Sequence, residues 1–166
     1  MNKAVYFNHG RESGPWGDKI TVLARVARER GYDVESLDYT GIMDPAERLR
    51  RLLASDAARP ASLILVGSSL GGWVAAAASE SLRPRGLFLL APAFYLPDFP
   101  SAEPAPHAEC VAVIHGWSDN AIPFSHSLRY AEKFKSNLHL VDSDHRLSSQ
   151  LPLIAHIFSG FLDAME

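Results

Sequence analysis

Four short stretches of this chain are apolar at every position: Ala4-Val5-Tyr6-Phe7, Leu63-Ile64-Leu65-Val66, Leu87-Phe88-Leu89-Leu90 and Val111-Ala112-Val113-Ile114. A strand with one wet face alternates polar and apolar residues, so unbroken runs of this length belong to strands covered on both sides. Two further short strand-like segments, Val34 to Leu37 and Leu138 to Val141, bring the expected strand count to about six. Helix-like segments separate these runs, which is the pattern of a parallel sheet with helices on both faces, an α/β fold.

The helical segments have recognisable ends. Pro15 to Arg30 places Ile20, Leu23, Val26 and Ala27 on one face, with Pro15 suited to the first turn and Gly31 as the stop. Asp44-Pro45 can cap and open a helix that carries Leu49, Leu52 and Leu53 and ends before Pro60. An alanine-rich helix is expected from Trp73 to about Leu82. Two more are expected, from Pro123 to Lys135 and from Leu151 to Met165. Between the fourth and fifth strands lie Pro92, Pro97, Pro100, Pro104 and Pro106, which preclude a regular helix or central strand there.

Bulk properties narrow the function. With 166 residues the chain is expected to form one domain, 1–166. A formal net charge of −3 gives no basic field for nucleic acid or an anionic membrane surface. No apolar run approaches the roughly 18 residues that span a bilayer. The chain enters its first strand without a signal-peptide pattern. The one cysteine, Cys110, precludes an internal disulfide. Cytoplasmic location is the expectation, with no cofactor.

Gly67-Ser68-Ser69-Leu70-Gly71 matches G-x-S-x-G and falls between a buried strand and a helix. A serine hydroxyl can serve as a nucleophile when it projects from the carboxyl end of a strand toward a base, and that requires a very sharp turn. Side chains at the −2 and +2 positions would clash, hence Gly67 and Gly71. Ser69, flanked by both glycines, is the candidate nucleophile. The backbone N–H of Leu70 is a candidate oxyanion donor.

Partners are expected in the chain order Ser, Asp or Glu, His. His115-Gly116-Trp117-Ser118-Asp119 follows the fifth strand, and Asp142-Ser143-Asp144-His145 follows the sixth. Asp119 and His145 therefore lie on the same rim as Ser69, with Asp119 as the acid and His145 as the base. Asp142 and Asp144 compete for the acid role but suit turn positions. A metal site from His9, His115 and His145 is weighed and set aside, because no ligand pair has helical spacing. The loop after the first strand, His9-Gly10-Arg11-Glu12-Ser13-Gly14-Pro15, offers the N–H of Arg11 as a second oxyanion donor.

Together, His9-Gly10, the elbow Gly67-Ser68-Ser69-Leu70-Gly71-Gly72, the Asp119 loop and the His145 loop resemble the α/β-hydrolase superfamily over nearly the whole chain. Within it, the chain is most similar to small bacterial esterases of the YqiA type. That resemblance implies a minimal sheet, lacking the first two edge strands of larger hydrolases, with no substantial cap. It also implies hydrolysis of small carboxylic esters or thioesters. Arg11 departs from the pattern, since an apolar residue often follows His-Gly in such enzymes. Its side chain either favours an acidic substrate or pairs with Glu12. His9, Trp117, Phe94 and Tyr95, with Leu96 and Phe99, are candidate pocket residues, and a shallow, open pocket favours small acyl groups. The same triad serves amidases and acyltransferases, and a non-catalytic interaction module can keep the fold. Those alternatives stay open at this point.

Overall fold

A computed structural model describes residues 2–166. Six strands, β1 (Lys3–Asn8), β2 (Asp33–Leu37), β3 (Ser62–Ser68), β4 (Gly86–Leu90), β5 (Cys110–Gly116) and β6 (Asn137–Val141), form one sheet in the order β2-β1-β3-β4-β5-β6. Every pairing is parallel. Four α-helices lie between strands, α1 (Asp18–Glu29), α2 (Pro45–Leu53), α3 (Leu70–Leu82) and α4 (Phe124–Phe134), and a fifth, α5 (Leu151–Asp163), follows β6.

The continuous apolar runs divide by parity between two cores. Val5, Phe7, Ile64, Val66, Phe88 and Leu90 face α1 and α5. Tyr6, Leu63, Leu65, Leu87 and Leu89 face α2, α3 and α4. The central strands thus have no polar face to show, which is why they read as unbroken runs. The segment between β4 and β5 contains no helix or strand, so nothing resembling a helical cap covers the sheet's carboxyl end. No helix is long and apolar enough to cross a membrane among the described residues.

The strand order places the site. The chain goes from β1 to β2 on one side, then returns to pair β3 on the other side of β1. The helices that follow β1 and β3 therefore cover opposite faces, and the loops leading to them diverge. A crevice opens at that switch point, outside the carboxyl ends of β1 and β3. In the register Asn8 lies opposite Gly67, so His9-Gly10 and Ser68-Ser69 emerge side by side.

Two boundaries differ from the sequence expectation for physical reasons. The helix expected from Pro15 starts at Asp18, because residues 10–17 are committed to the crevice loop: Gly10 N–H donates to Ser13 Oγ at 3.1 Å, and Ser36 Oγ donates to the Pro15 carbonyl at 2.5 Å. The helix expected from Trp73 starts three residues earlier, immediately after Ser69.

Phe88 is fully buried and meets Phe158 and Phe161 edge-on, with centroids 4.9 and 5.2 Å away. Phe88→Ala is expected to lower the unfolding free energy by about 3–5 kcal/mol, read as a lower urea midpoint with an unchanged slope. A loss below about 1 kcal/mol would mean that α5 is not anchored to the sheet through this ring.

Candidate active site

Ser69 is the residue between β3 and α3, with φ 56° and ψ −117°, a region that L-residues rarely occupy. Such a residue costs about 1–3 kcal/mol and survives only where its surroundings dictate it. Here they do. Ser69 N–H donates to the Leu90 carbonyl at 2.9 Å, and its own carbonyl accepts from Gly72 and Ala93 N–H groups at 3.0 Å each. The flanking glycines have no freedom either. A Cβ on Gly67 would lie 2.2 Å from the Gly71 carbonyl oxygen, and one on Gly71 would lie 1.9 Å from the carbonyl oxygen of Asn8. The clash is thus with β1 and with the elbow itself. The positive end of the α3 dipole begins at Ser69.

His145 reaches Ser69 from the loop after β6, with Nε2 3.1 Å from Ser69 Oγ. Its other nitrogen, Nδ1, lies 2.7 Å from Asp119 Oδ2. An ionised carboxylate only accepts, so Nδ1 carries the proton and Nε2 is left to accept from the serine hydroxyl. Asp119 Oδ1 accepts from the N–H groups of Ala121 and Ile122 at 2.9 and 2.8 Å. The Asp119 side chain is inaccessible, whereas that of His145 is 28% exposed toward the crevice. Asp142 and Asp144 take other parts. The Asp142 carbonyl accepts from Gln150, and Asp144 Oδ1 accepts from the Arg146 N–H at 3.0 Å in a turn.

Behind Asp119 stands a second imidazole. His115 Nε2 lies 3.1 Å from Asp119 Oδ2 and 2.8 Å from the Ile122 carbonyl, and Nδ1 lies 2.6 Å from Ser127 Oγ. Burial pushes its pKa down, so the ring is neutral; Nε2–H is shared by Asp119 and Ile122 while Nδ1 accepts from Ser127. Asp119 therefore keeps its orientation through four donors.

The loop after β1 forms the opposite wall, and a buried arginine holds it. Arg48, on α2, is fully buried; its Nη1 donates to the His9 carbonyl at 2.5 Å, Nη2 to the Gly10 carbonyl at 3.2 Å, and Nε to the Ile42 carbonyl at 2.7 Å. No carboxylate pairs with it, and desolvation lowers its pKa to about 10, which leaves it charged at neutral pH. The Tyr39 ring lies 5.0 Å away under the guanidinium. His9 completes the arrangement. Tyr39 N–H donates to its Nε2 at 2.8 Å, so Nδ1 is the protonated nitrogen and donates to the Gly10 carbonyl at 2.7 Å. Three rigid carbonyl contacts thus fix the strand end that leads into Arg11. No carbonyl among the described residues accepts from the N–H of Arg11 or of Leu70.

These parts border a cleft of about 500 Å³ whose walls include Ser69, Leu70, Arg11, His145, Leu96 and Phe99. A family model described as "Alpha/beta hydrolase family" matches residues 6–158. The chain belongs to that family. Among solved structures, a candidate hydrolase of the α/β superfamily from Xanthomonas campestris pv. campestris is 30% identical, with a TM-score of 0.88 and 99% of each chain covered. A lid-less α/β serine hydrolase from Xanthomonas campestris is 22% identical with a TM-score of 0.73, covering 99% of this chain and 84% of its own. Est1E from Butyrivibrio proteoclasticus is 17% identical with a TM-score of 0.78, covering 98% and 88%. At those identities the last two speak to the fold. No curated protein matches the chain.

Ser69, His145 and Asp119 are joined by hydrogen bonds, and Arg11 and Leu70 border the same cleft. The pocket residues fall differently. Phe94 is buried away from the cleft, stacked on Tyr130 at 4.0 Å, and Tyr95 turns to Arg129 and His126. Trp117 is 52% exposed and packs on Phe124. Leu96 and Phe99, expected beside them, do line the cleft. His9 borders the cleft, but its ring is buried and fully bonded. Both ring nitrogens of His9, His115 and His145 are occupied by protein partners. Hydropathy overlooked Arg48. It stands three residues after the buried Pro45 and four before the buried Leu52, so helical spacing alone puts it on the inner face, while Leu53 is exposed.

Arg48→Met leaves the His9 carbonyl without a partner and takes a donor from the carbonyls of Gly10 and Ile42, at about 1–3 kcal/mol for a buried acceptor left unpaired. The expected result is reduced stability in urea, together with faster hydrogen exchange at the buried Tyr39 amide, which donates to His9 Nε2. A folded variant with unchanged exchange there would show that the loop is held by other contacts.

Proposed function

We propose that the chain is a serine hydrolase that cleaves small carboxylic esters or thioesters through an acyl-enzyme on Ser69. The observation that carries this reading is the uninterrupted line from Ser69 Oγ to His145 to the inaccessible Asp119, at 3.1 and 2.7 Å, opening on a cleft. It rests on an elbow that holds Ser69 at a positive φ.

In this mechanism Ser69 Oγ attacks the acyl carbon while His145 Nε2 takes its proton. Asp119 keeps Nδ1 protonated and stabilises the imidazolium. Negative charge gathers on the former carbonyl oxygen, which the free N–H groups of Arg11 and Leu70 receive, aided by the α3 dipole. The tetrahedral intermediate collapses, His145 gives its proton to the departing alcohol or thiol, and Ser69 is left acylated. Water then attacks the acyl carbon with His145 as base. A second collapse returns the proton to Ser69 and releases the acid. The whole chain acts as one domain, similar in this respect to YqiA-type esterases, and a single thiol suits a cytoplasmic setting.

The test is steady-state hydrolysis of a 4-nitrophenyl ester series. Ser69→Ala and His145→Ala are expected to lower kcat by about 10³-fold or more, and Asp119→Asn by a comparable amount through the wrong tautomer of His145. Acyl groups of two to four carbons should outperform long ones, because Leu96 and Phe99 are the large apolar side chains of the cleft lining that stay partly accessible among the described residues. Wild-type rates in Ser69→Ala would overturn the reading, and efficient hydrolysis restricted to long acyl chains would overturn its substrate range.

A further inference from the structure

Lys19 lies in the first turn of α1 and lines the same cleft as Ser69 and His145. Its position is unfavourable on three counts. A cation in a helix's first turn opposes the macrodipole. The side chain is half-buried, so its ammonium has lost part of its hydration. And it pairs with no carboxylate among the described residues, although Asp119 and Asp144 act on it through space. Those two are already engaged, Asp119 by His145, His115, Ala121 and Ile122, and Asp144 by Arg146 N–H. Nothing in the packing explains a charge held under these penalties.

The surroundings supply a use for it. The cleft lining holds three cations, Arg11, Lys19 and Arg146, against two carboxylates, Glu12 and Asp18. Glu12, Asp18, Arg11 and Arg146 are exposed, so water and salt screen them, whereas the charge on the half-buried Lys19 is screened less. This cationic wall belongs to a chain whose net charge is −3.

We propose that Lys19 is a specificity residue that makes this wall a subsite for an anionic group, a carboxylate or phosphate, carried by the substrate near its scissile ester or thioester. The proposal rests on the serine-hydrolase reading of the site. It names what that reading leaves open, the chemical class of the natural substrate. An arriving oxyanion gives Lys19 the partner that the fold withholds, and the charge-assisted contact fixes the acyl group against Ser69. Arg11 and Arg146 at the rim assist its approach.

A pH signature accompanies this role. Desolvation lowers the Lys19 pKa to about 8, with Asp119 and Asp144 opposing the shift and Arg146 adding to it. The ammonium is the charged form, so Lys19 is cationic below about pH 8 and its part in the subsite fades as pH rises through that value.

The experiment compares length-matched substrates, 4-nitrophenyl hemisuccinate with 4-nitrophenyl butyrate, and the acetate ester of 4-hydroxybenzoate with phenyl acetate. These put the anion on the acyl side in one pair and on the alcohol side in the other. The wild type should favour the anionic member of at least one pair, and that preference should decline between pH 7 and pH 9. Lys19→Met should lower kcat/KM for that ester about tenfold or more and leave its neutral partner within about twofold. Lys19→Arg should retain most of the preference. Equal losses on charged and neutral esters in Lys19→Met, or no anionic preference in a wild type that hydrolyses the neutral esters, would overturn the subsite and leave the serine-hydrolase reading standing. A folded wild type that hydrolyses none of the four would overturn both.

Discussion

The carbonyl oxygen of Asn8 occupies the space that a Cβ on residue 71 would need, 1.9 Å away, and much of the molecule follows from that contact. It lets the start of α3 press against the end of β1, which draws the turn between β3 and α3 tight enough to put Ser69 at a positive φ. It also brings the His9-Gly10-Arg11 loop against the elbow, so that a Cβ on Gly10 would meet that of Ser69 at 3.5 Å. The switch in strand order between β1 and β3 supplies the crevice, and the close approach of their ends supplies its chemistry.

Two buried networks hold this assembly from opposite sides. On one, Arg48 gathers the carbonyls of His9, Gly10 and Ile42, a cation whose partners are all backbone. On the other, Ser127, His115, Asp119 and His145 form a chain of hydrogen bonds running from the interior to the half-exposed crevice. Only its last imidazole meets solvent. That gradient keeps Asp119 fixed and dry while leaving His145 room to exchange protons with whatever occupies the cleft.

The six strands and the three principal site residues were legible because each depends on local sequence. Continuous apolar runs report burial on both faces at β1, β3, β4 and β5, and Ser69, Asp119 and His145 each follow a strand within a short loop. Leu70 and Arg11 could be placed by offset from those motifs. What escaped the sequence depends on how irregular backbone turns. Phe94, Tyr95, Leu96 and Phe99 all looked like pocket residues, but in a loop with positive φ angles at Ala91, Tyr95 and Asp98 only Leu96 and Phe99 of the four line the cleft. Arg48 and Lys19 escaped for a different reason. Hydropathy assigns arginine and lysine to the surface, whereas a buried charge is recognised by the carbonyls or the vacancy around it, which only tertiary structure supplies.

The central claim is that the strained elbow exists to present an activated serine. Intact-protein mass spectrometry after exposure to a fluorophosphonate tests it without any assumption about the natural substrate. The account predicts one adduct per chain, mapping to Ser69 by peptide fragmentation and slowed strongly when His145 is replaced by alanine. A folded protein that takes up no adduct, or takes it up at Ser68 or elsewhere, would contradict it.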